Sequence, residues 1–308
     1  MENEMQNQPK KDRILATSIL ISAVIFSGVW FYTSGQKTVD QNQSDIQTAS
    51  ESEKERFAEL AEKVLPSEGV ILPVSWGDLG ARLTSVGAID ADRFKAIYKQ
   101  RGDFTAEYEK LLSGHNDNNL KITGENSGYL LNLFWALGLA SKNEILENGE
   151  MTNPAYGGAG NFASTGGWTL AKGDAMDHYS KHKFFNLTPE QQAVVDKVSR
   201  GIYRPCCGNS THFPDCNHGL AMLGLLQLMA SQDVSEQEMW KVALQVNSYW
   251  FPETYLTLAT YFKQRGTDWD EVDPRLALGK EYSSASGYGR VLQEIEPVNL
   301  QGGGGCSV

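Results

Sequence analysis

Cysteine is scarce in these 308 residues: there are four, far too few to build a scaffold from disulfides in place of an apolar core. Basic clusters are missing as well. Lys and Arg total 27 against 38 Asp and Glu, a formal net charge of −11, and no Lys/Arg-rich block could neutralise phosphates, so nucleic acid is not an expected partner. The chain has no G-x-x-x-x-G-K-[ST] element and no H-E-x-x-H segment, which removes P-loop phosphate binding and the zincin arrangement. It also has no long internal repeat, and no alternating strand pattern flanked by hairpin turns stands out. With 41% hydrophobic and 10% aromatic residues the chain can nevertheless bury a core, and the expected class is mainly α.

One apolar run is long enough to matter for location. Residues 14–32, ILATSILISAVIFSGVWFY, carry no charge, and as a helix they match the roughly 30 Å hydrocarbon layer of a bilayer. Lys10, Lys11 and Arg13 precede the run and only Lys37 stands just after it, ahead of Asp40, Asp45, Glu51 and Glu53, so the positive-inside rule places residues 1–13 in the cytoplasm and the rest outside. A cleaved signal peptide is the competing reading, with Thr33-Ser34-Gly35 as small residues at the cut, but the run exceeds the usual 7–15-residue apolar region. Both readings export the domain. Residues 33–52 are rich in Gln, Ser, Thr and Asp and are expected to form a flexible stalk. A single all-α domain is expected over 53–297, followed by a Gly-rich tail, 298–308, that carries Cys306.

Helix punctuation is dense within that domain. The pattern predicts helices over 52–65, stopped by Pro66, over 89–100, and over 127–146 through the run YLLNLFWALGLA. Thr188-Pro189-Glu190-Gln191 places a capping Thr, a first-turn Pro and a reciprocal Gln in sequence, and Ser235-Glu236-Gln237-Glu238 repeats the logic. Residues 216–231 are apolar on every side and should form the central buried helix, and 252–264 a further one.

Chemistry concentrates in YRPCCGNSTHFPDCNHG, residues 203–219. Cys206, Cys207, His212, Cys216 and His218 place five soft or borderline ligands in thirteen residues, among Pro, Gly, Asn and Ser that turn the chain. Those ligand types suit a tetrahedral Zn ion or a soft Cu(I) ion, although the spacing matches no standard finger, haem or ferredoxin pattern. Cys216 falls where the central helix begins, and a helix N-terminus stabilises a thiolate, the form that binds metal. Cys206, Cys207, Cys216 and His218 are the first-choice ligands, His212 the substitute. Cys306, on four glycines, could complete the sphere or act as a resolving thiol.

Other patterns weigh less. DCNHGLAML, residues 215–223, resembles the helix-opening cysteine segment of bacteriocin-processing peptidases, which take their histidine from well downstream; no histidine follows His218, so a papain-type dyad is disfavoured. His178 and His182 would share a face if helical and form a metal pair. Gly158, Gly160 and Ala163 trace G-x-G-x-x-A, but a dinucleotide site needs a preceding strand, so no nucleotide cofactor is expected. The expected function is binding of Zn or Cu by a membrane-anchored, exported domain. A thiol–disulfide oxidoreductase using the same cysteines and a disulfide-stapled interaction domain with an unidentified protein or glycan partner are the alternatives.

Overall fold

The computed structural model describes residues 53–102 and 104–300. The membrane segment expected over 14–32, the stalk and Cys306 lie outside the described residues. Among those described, no helix is long and apolar enough to cross a membrane. The chain divides into two compact units, Met1–Arg56 and Phe57–Val308, and the architecture that follows is that of the second.

The domain is mainly helical, as the punctuation predicts. Residues 53–64 form α1, which ends just before Pro66. Strand β1 (Val70–Gly77) leads into α2 (Leu79–Ser85), α3 (Ala91–Arg101) and α4 (Ala106–Ser113), and strand β2 (Asn116–Ile122) follows. Next come α5 (Ser127–Ala140), the short α6 (Glu144–Asn148) and a series of 3-10 turns between Glu150 and Asp177. The second half holds α7 (Pro189–Gly201), α8 (Asn217–Ser231), α9 (Glu236–Trp250) and α10 (Pro252–Gln264), then α11 (Pro274–Ala277), α12 (Lys280–Ser283) and α13 (Ala285–Val291).

Local chemistry accounts for most of these boundaries. The Asp90 carboxylate accepts from the backbone N–H groups of Asp92 and Arg93 at the start of α3. Thr188 and Gln191 form the full reciprocal capping box of α7, with Pro189 in the first turn. At α9 the Ser235 hydroxyl accepts from the Glu238 N–H. Pro252 opens α10, where its missing N–H costs nothing.

The structure differs from the sequence expectation in two places. The single helix expected over 127–146 is broken after Ala140. There the backbone turns extended and pairs with the His182 segment, His182 N–H donating to Ala140 O at 2.8 Å and Lys142 N–H to His182 O at 2.9 Å, before Asn143 caps α6. A distant segment thus satisfies amides that a longer helix would have used. Secondly, β1 and β2 pair antiparallel, with Val70 opposite Ile122 and Gly77 opposite Asn116. In β1 every second residue, Leu72, Val74 and Trp76, is buried, but apolar Val70 and Ile71 blur the alternation and Ile71 is 67% exposed. Only Leu120 and Ile122 of β2 are buried, so its sequence, NDNNLKI, hides the strand.

Helices α5 and α8 form the centre. Tyr129, Leu130 and Asn132 through Ala140 are buried on α5, and His218 through Ala230 on α8. Apolar surface on all sides is what a fully enclosed helix requires. The two backbones approach closely at paired glycines. A Cβ on Gly138 would lie 1.9 Å from Leu220 O, and one on Gly224 would lie 2.4 Å from Phe134 O. At the far end of α8, Gln232 accepts from Ser75 N–H at 2.9 Å and donates to Ser75 O at 2.8 Å, tying the helix to β1.

This contact predicts a measurable cost. Gly138→Ala would force α5 away from α8, and overpacking of this kind costs about 1–3 kcal/mol. Urea denaturation of the folded variant should show a lower midpoint than wild type, whereas Gly124→Ala, with open space around its Cα, should not. Equal midpoints for all three proteins would show that the helices do not meet at this glycine.

Candidate metal centre

The loop from 203 to 216 joins α7 to α8, and it is held at both ends and in the middle. Tyr203 N–H donates to Leu278 O at 2.9 Å, Thr211 N–H to Ile202 O at 2.8 Å and His212 N–H to Ser199 O at 3.1 Å. Ala285 N–H reaches Cys207 O at 2.9 Å, and Ser164 N–H reaches Asp215 O at 3.2 Å. The glycine-rich segment and the C-terminal helices thus both fix the loop.

Cys216 is the N-cap of α8, and its side chain makes no capping hydrogen bond, so the sulfur turns into the loop. Cys206 Sγ lies 3.5 Å from Cys216 Sγ. One ligand atom each from Cys206, Cys216 and His218 lies within 4.8 Å of the other two. A second set, Cys207, Asp215 and Cys216, meets the same limit and shares the Cys216 sulfur. Tetrahedral and trigonal thiophilic ions need donors at this mutual spacing.

His218 gives the first set its character. The ring is 3% exposed, packs 4.4 Å from the Phe251 ring and 5.7 Å from the Trp250 ring, and its Nδ1 is buried with no hydrogen-bond partner. A buried imidazole nitrogen without a partner is costly in an ordinary core.

The second set is already occupied electrostatically. Arg204, 1% exposed, points its guanidinium into it: Nε donates to Cys216 Sγ at 2.9 Å, and Nη2 to Asp215 Oδ1 at 2.5 Å and Phe213 O at 3.1 Å. Nη1 donates to Asn209 O at 3.1 Å, and Asn209 Nδ2 to Asp215 Oδ2 at 2.9 Å. Burial opposes the arginine's charge, but Cys216, Cys207 and Asp215 outweigh it and the guanidinium stays charged.

The same contacts divide the thiols. Hydrogen bonds from Cys206 and Cys207, joined by the Arg204 charge and by His218, overcome burial and hold Cys216 well below the usual thiol range. For Cys207, hydrogen bonding with Cys206 acts downward, but donation to Cys216 and burial prevail and push it up to about 11. The two shifts run in opposite directions, so that of the pair Cys216 favours the thiolate and Cys207 the thiol.

The remaining candidates fall elsewhere. His212 is not brought to the cluster: Nδ1 faces Glu150 Oε2 at 2.8 Å and Nε2 faces Asp196 Oδ1 at 2.9 Å, so both nitrogens are engaged by carboxylates. His212, Asp196 and Arg200 line a cavity of about 820 Å³ that none of the three loop cysteines reaches. His178 and His182 lie after a 3-10 turn rather than on an α-helix, with Nδ1 of one 3.1 Å from Nε2 of the other, and among the described residues no third ligand joins them. The segment holding Gly158 and Gly160 is preceded by α6 and 3-10 turns, not by a strand, so no dinucleotide crossover exists there. Arg204 is the residue that sequence reasoning missed. Its one local trace is Gly219, where a Cβ would lie 2.6 Å from the arginine Cζ. No protein-family model, curated protein or solved structure gives a match to the chain.

Two outcomes follow from these charges. In chelator-treated, reduced protein, one thiol should react with iodoacetamide as a thiolate at pH values where an ordinary thiol, near 8.5, is protonated, and Cys216→Ser should remove that fast phase. All four thiols of the chain titrating together in the ordinary range would contradict the assignment. Separately, donation from Arg200, and then from His212, holds Asp196 below the ordinary carboxylate value in spite of partial burial. A carboxylate depressed in the folded state contributes stability above its unfolded value and loses it as pH falls through the folded one. Asp196→Asn should flatten the acid side of a plot of urea midpoint against pH, and an unchanged acid side would remove Asp196 from that role.

Proposed function

We propose that the chain is a membrane-anchored, extracytoplasmic helical domain that binds one thiophilic metal ion, Zn or Cu(I), through Cys206, Cys216 and His218. The observation that carries this reading is that one ring nitrogen of the buried His218 and the sulfurs of Cys206 and Cys216 lie within 4.8 Å of one another, in a ring whose Nδ1 has no hydrogen-bond partner. Thiolate and imidazole together suit both ions. Three protein ligands satisfy trigonal Cu(I), and on Zn they leave a fourth position for water or an exchangeable donor. Sensing, transfer or structural stabilisation are the roles such a site serves. The uncharged run over 14–32 and the charge asymmetry around it support the anchored, exported placement.

A second reading rests on the 3.5 Å separation of the Cys206 and Cys216 sulfurs and on the depressed Cys216 thiol. In thiol–disulfide exchange the Cys216 thiolate would attack a substrate disulfide and release one substrate thiolate. Cys206, after losing its proton, would then attack the Cys216 sulfur and release the second, so that the loop dithiol is oxidised as the substrate disulfide is reduced. That chemistry uses His218 only to help lower the Cys216 thiol, behind Cys206, Cys207 and Arg204.

Metal content separates the two. The full chain, purified in reductant without chelator, should carry about one equivalent of Zn or Cu by elemental analysis, lost in Cys216→Ala and in His218→Ala variants that keep their helical circular dichroism. A metal-free chain whose disulfide exchange survives His218→Ala would transfer the assignment to the redox reading.

A further inference from the structure

We infer that the Arg204 guanidinium stands in the place of a second cation, and that this arginine restricts a loop with two sets of ligands to a single metal ion. The inference rests on the metal-binding reading of the loop and adds what sets its stoichiometry.

The two ligand sets meet at Cys216. A thiolate sulfur has lone pairs enough to bridge two soft ions, so nothing in the donor atoms themselves prevents a dinuclear site. What distinguishes the sets is the company they keep. In the set of Cys206, Cys216 and His218, the imidazole Nδ1 is partnerless. In the set of Cys207, Asp215 and Cys216, two of the three donor atoms already accept from one guanidinium, Cys216 Sγ from Nε at 2.9 Å and Asp215 Oδ1 from Nη2 at 2.5 Å. The third donor competes for the same acceptors, Cys207 Sγ lying 3.6 Å from Asp215 Oδ1 and 3.9 Å from Asn209 O. A metal ion on the second set would need the position of a fixed positive charge that cannot give up its proton.

The arginine is built in. Nη1 and Nη2 also donate to the carbonyls of Asn209 and Phe213, so that four of the five guanidinium N–H groups are engaged, and Asn209 also braces Asp215 from the other side. Gly219, in the first turn of α8, leaves the room that the guanidinium fills, since a Cβ there would lie 2.6 Å from both Cζ and Nη2. An organic cation held this way offers the second set the charge of an ion without its coordination. Cys207 consequently stays outside the metal sphere.

The test counts ions per chain. Wild-type full-length protein and variants are titrated with Zn(II), and separately with Cu(I) supplied by a competing chelator, and their bound metal is measured after desalting. Wild type should hold one equivalent. Arg204→Met, which keeps volume but removes charge, should hold two, returning to one when Asp215→Asn or Cys207→Ser is added, while Arg204→Lys should stay at one. A folded Arg204→Met protein that binds one ion, still lost with Cys216→Ala, overturns the inference and leaves the metal reading intact. No metal on wild type itself would sink that reading instead, and this inference with it. Because Arg204 is buried and its loss could unfold the loop, Cys207→Ser in the otherwise native chain provides a second test. It should keep one equivalent with affinity unchanged within twofold, and X-ray absorption at the metal edge should show the same two sulfur neighbours in both proteins. Three sulfurs in wild type falling to two in Cys207→Ser would place Cys207 on the metal and refute the proposal.

Discussion

The contact between the backbones of α5 and α8 sets the rest of the arrangement. Two helices with apolar side chains all round can pack so closely only where a side chain is missing on each, at Gly138 and Gly224. That pairing fixes the position of α8 in the core, and with it the point where its first turn emerges. Cys216 and His218 stand in that turn, the one at the N-cap and the other two residues later. Their placement is therefore a consequence of core packing rather than of loop conformation, and candidate ligands on a rigid element hold their geometry better than ligands on a mobile one.

The loop contributes what the helix cannot. Cys206 and Cys207 are adjacent, so one turn of backbone presents two sulfurs in different environments. Arg204, twelve residues before Cys216, folds back beneath the turn and meets Cys216 and Asp215 together. A buried guanidinium is tolerated only when its donors are matched, and here carbonyls, a carboxylate and a thiolate meet it. Hydrogen bonds from Cys206 and Cys207 lower the Cys216 thiol most, and the charge of the buried arginine adds to them, because a fixed positive charge favours the anionic form of a titratable neighbour.

What could be read directly from the sequence was the chemistry that acts over a few residues. The Thr188 capping box and the Ser235 cap are each decided within one helical turn, and α7 and α9 stand where those signals place them. The density of Cys and His over 203–219 is local in the same sense, and the fold draws Cys206, Cys216 and His218 together. Long-range partners left no such trace. His212 is engaged by Asp196, sixteen residues away, and by Glu150, sixty-two away, and neither separation has a periodicity to reveal it. The end of α5 depends on the His182 segment, and β2 is a strand of mostly polar residues that exists because β1 needs a partner. Arg204 was the hardest to foresee, since a charged side chain is ordinarily a sign of surface.

The physical case for a metal over a bare disulfide turns on the histidine. A pair of cysteines at 3.5 Å can serve either purpose, and a depressed thiol serves both equally. A disulfide, however, asks nothing of a third group, and in a redox site His218 would serve only as one of several groups that lower the Cys216 thiol. Aromatic rings of Trp250 and Phe251 already surround that position, so a phenyl or leucyl side chain would pack there without leaving a polar atom unmatched. An imidazole there instead carries the desolvation of Nδ1 with no hydrogen bond to offset it. Coordination of an ion by the imidazole, alongside two sulfurs already within ligand distance, would supply that compensation.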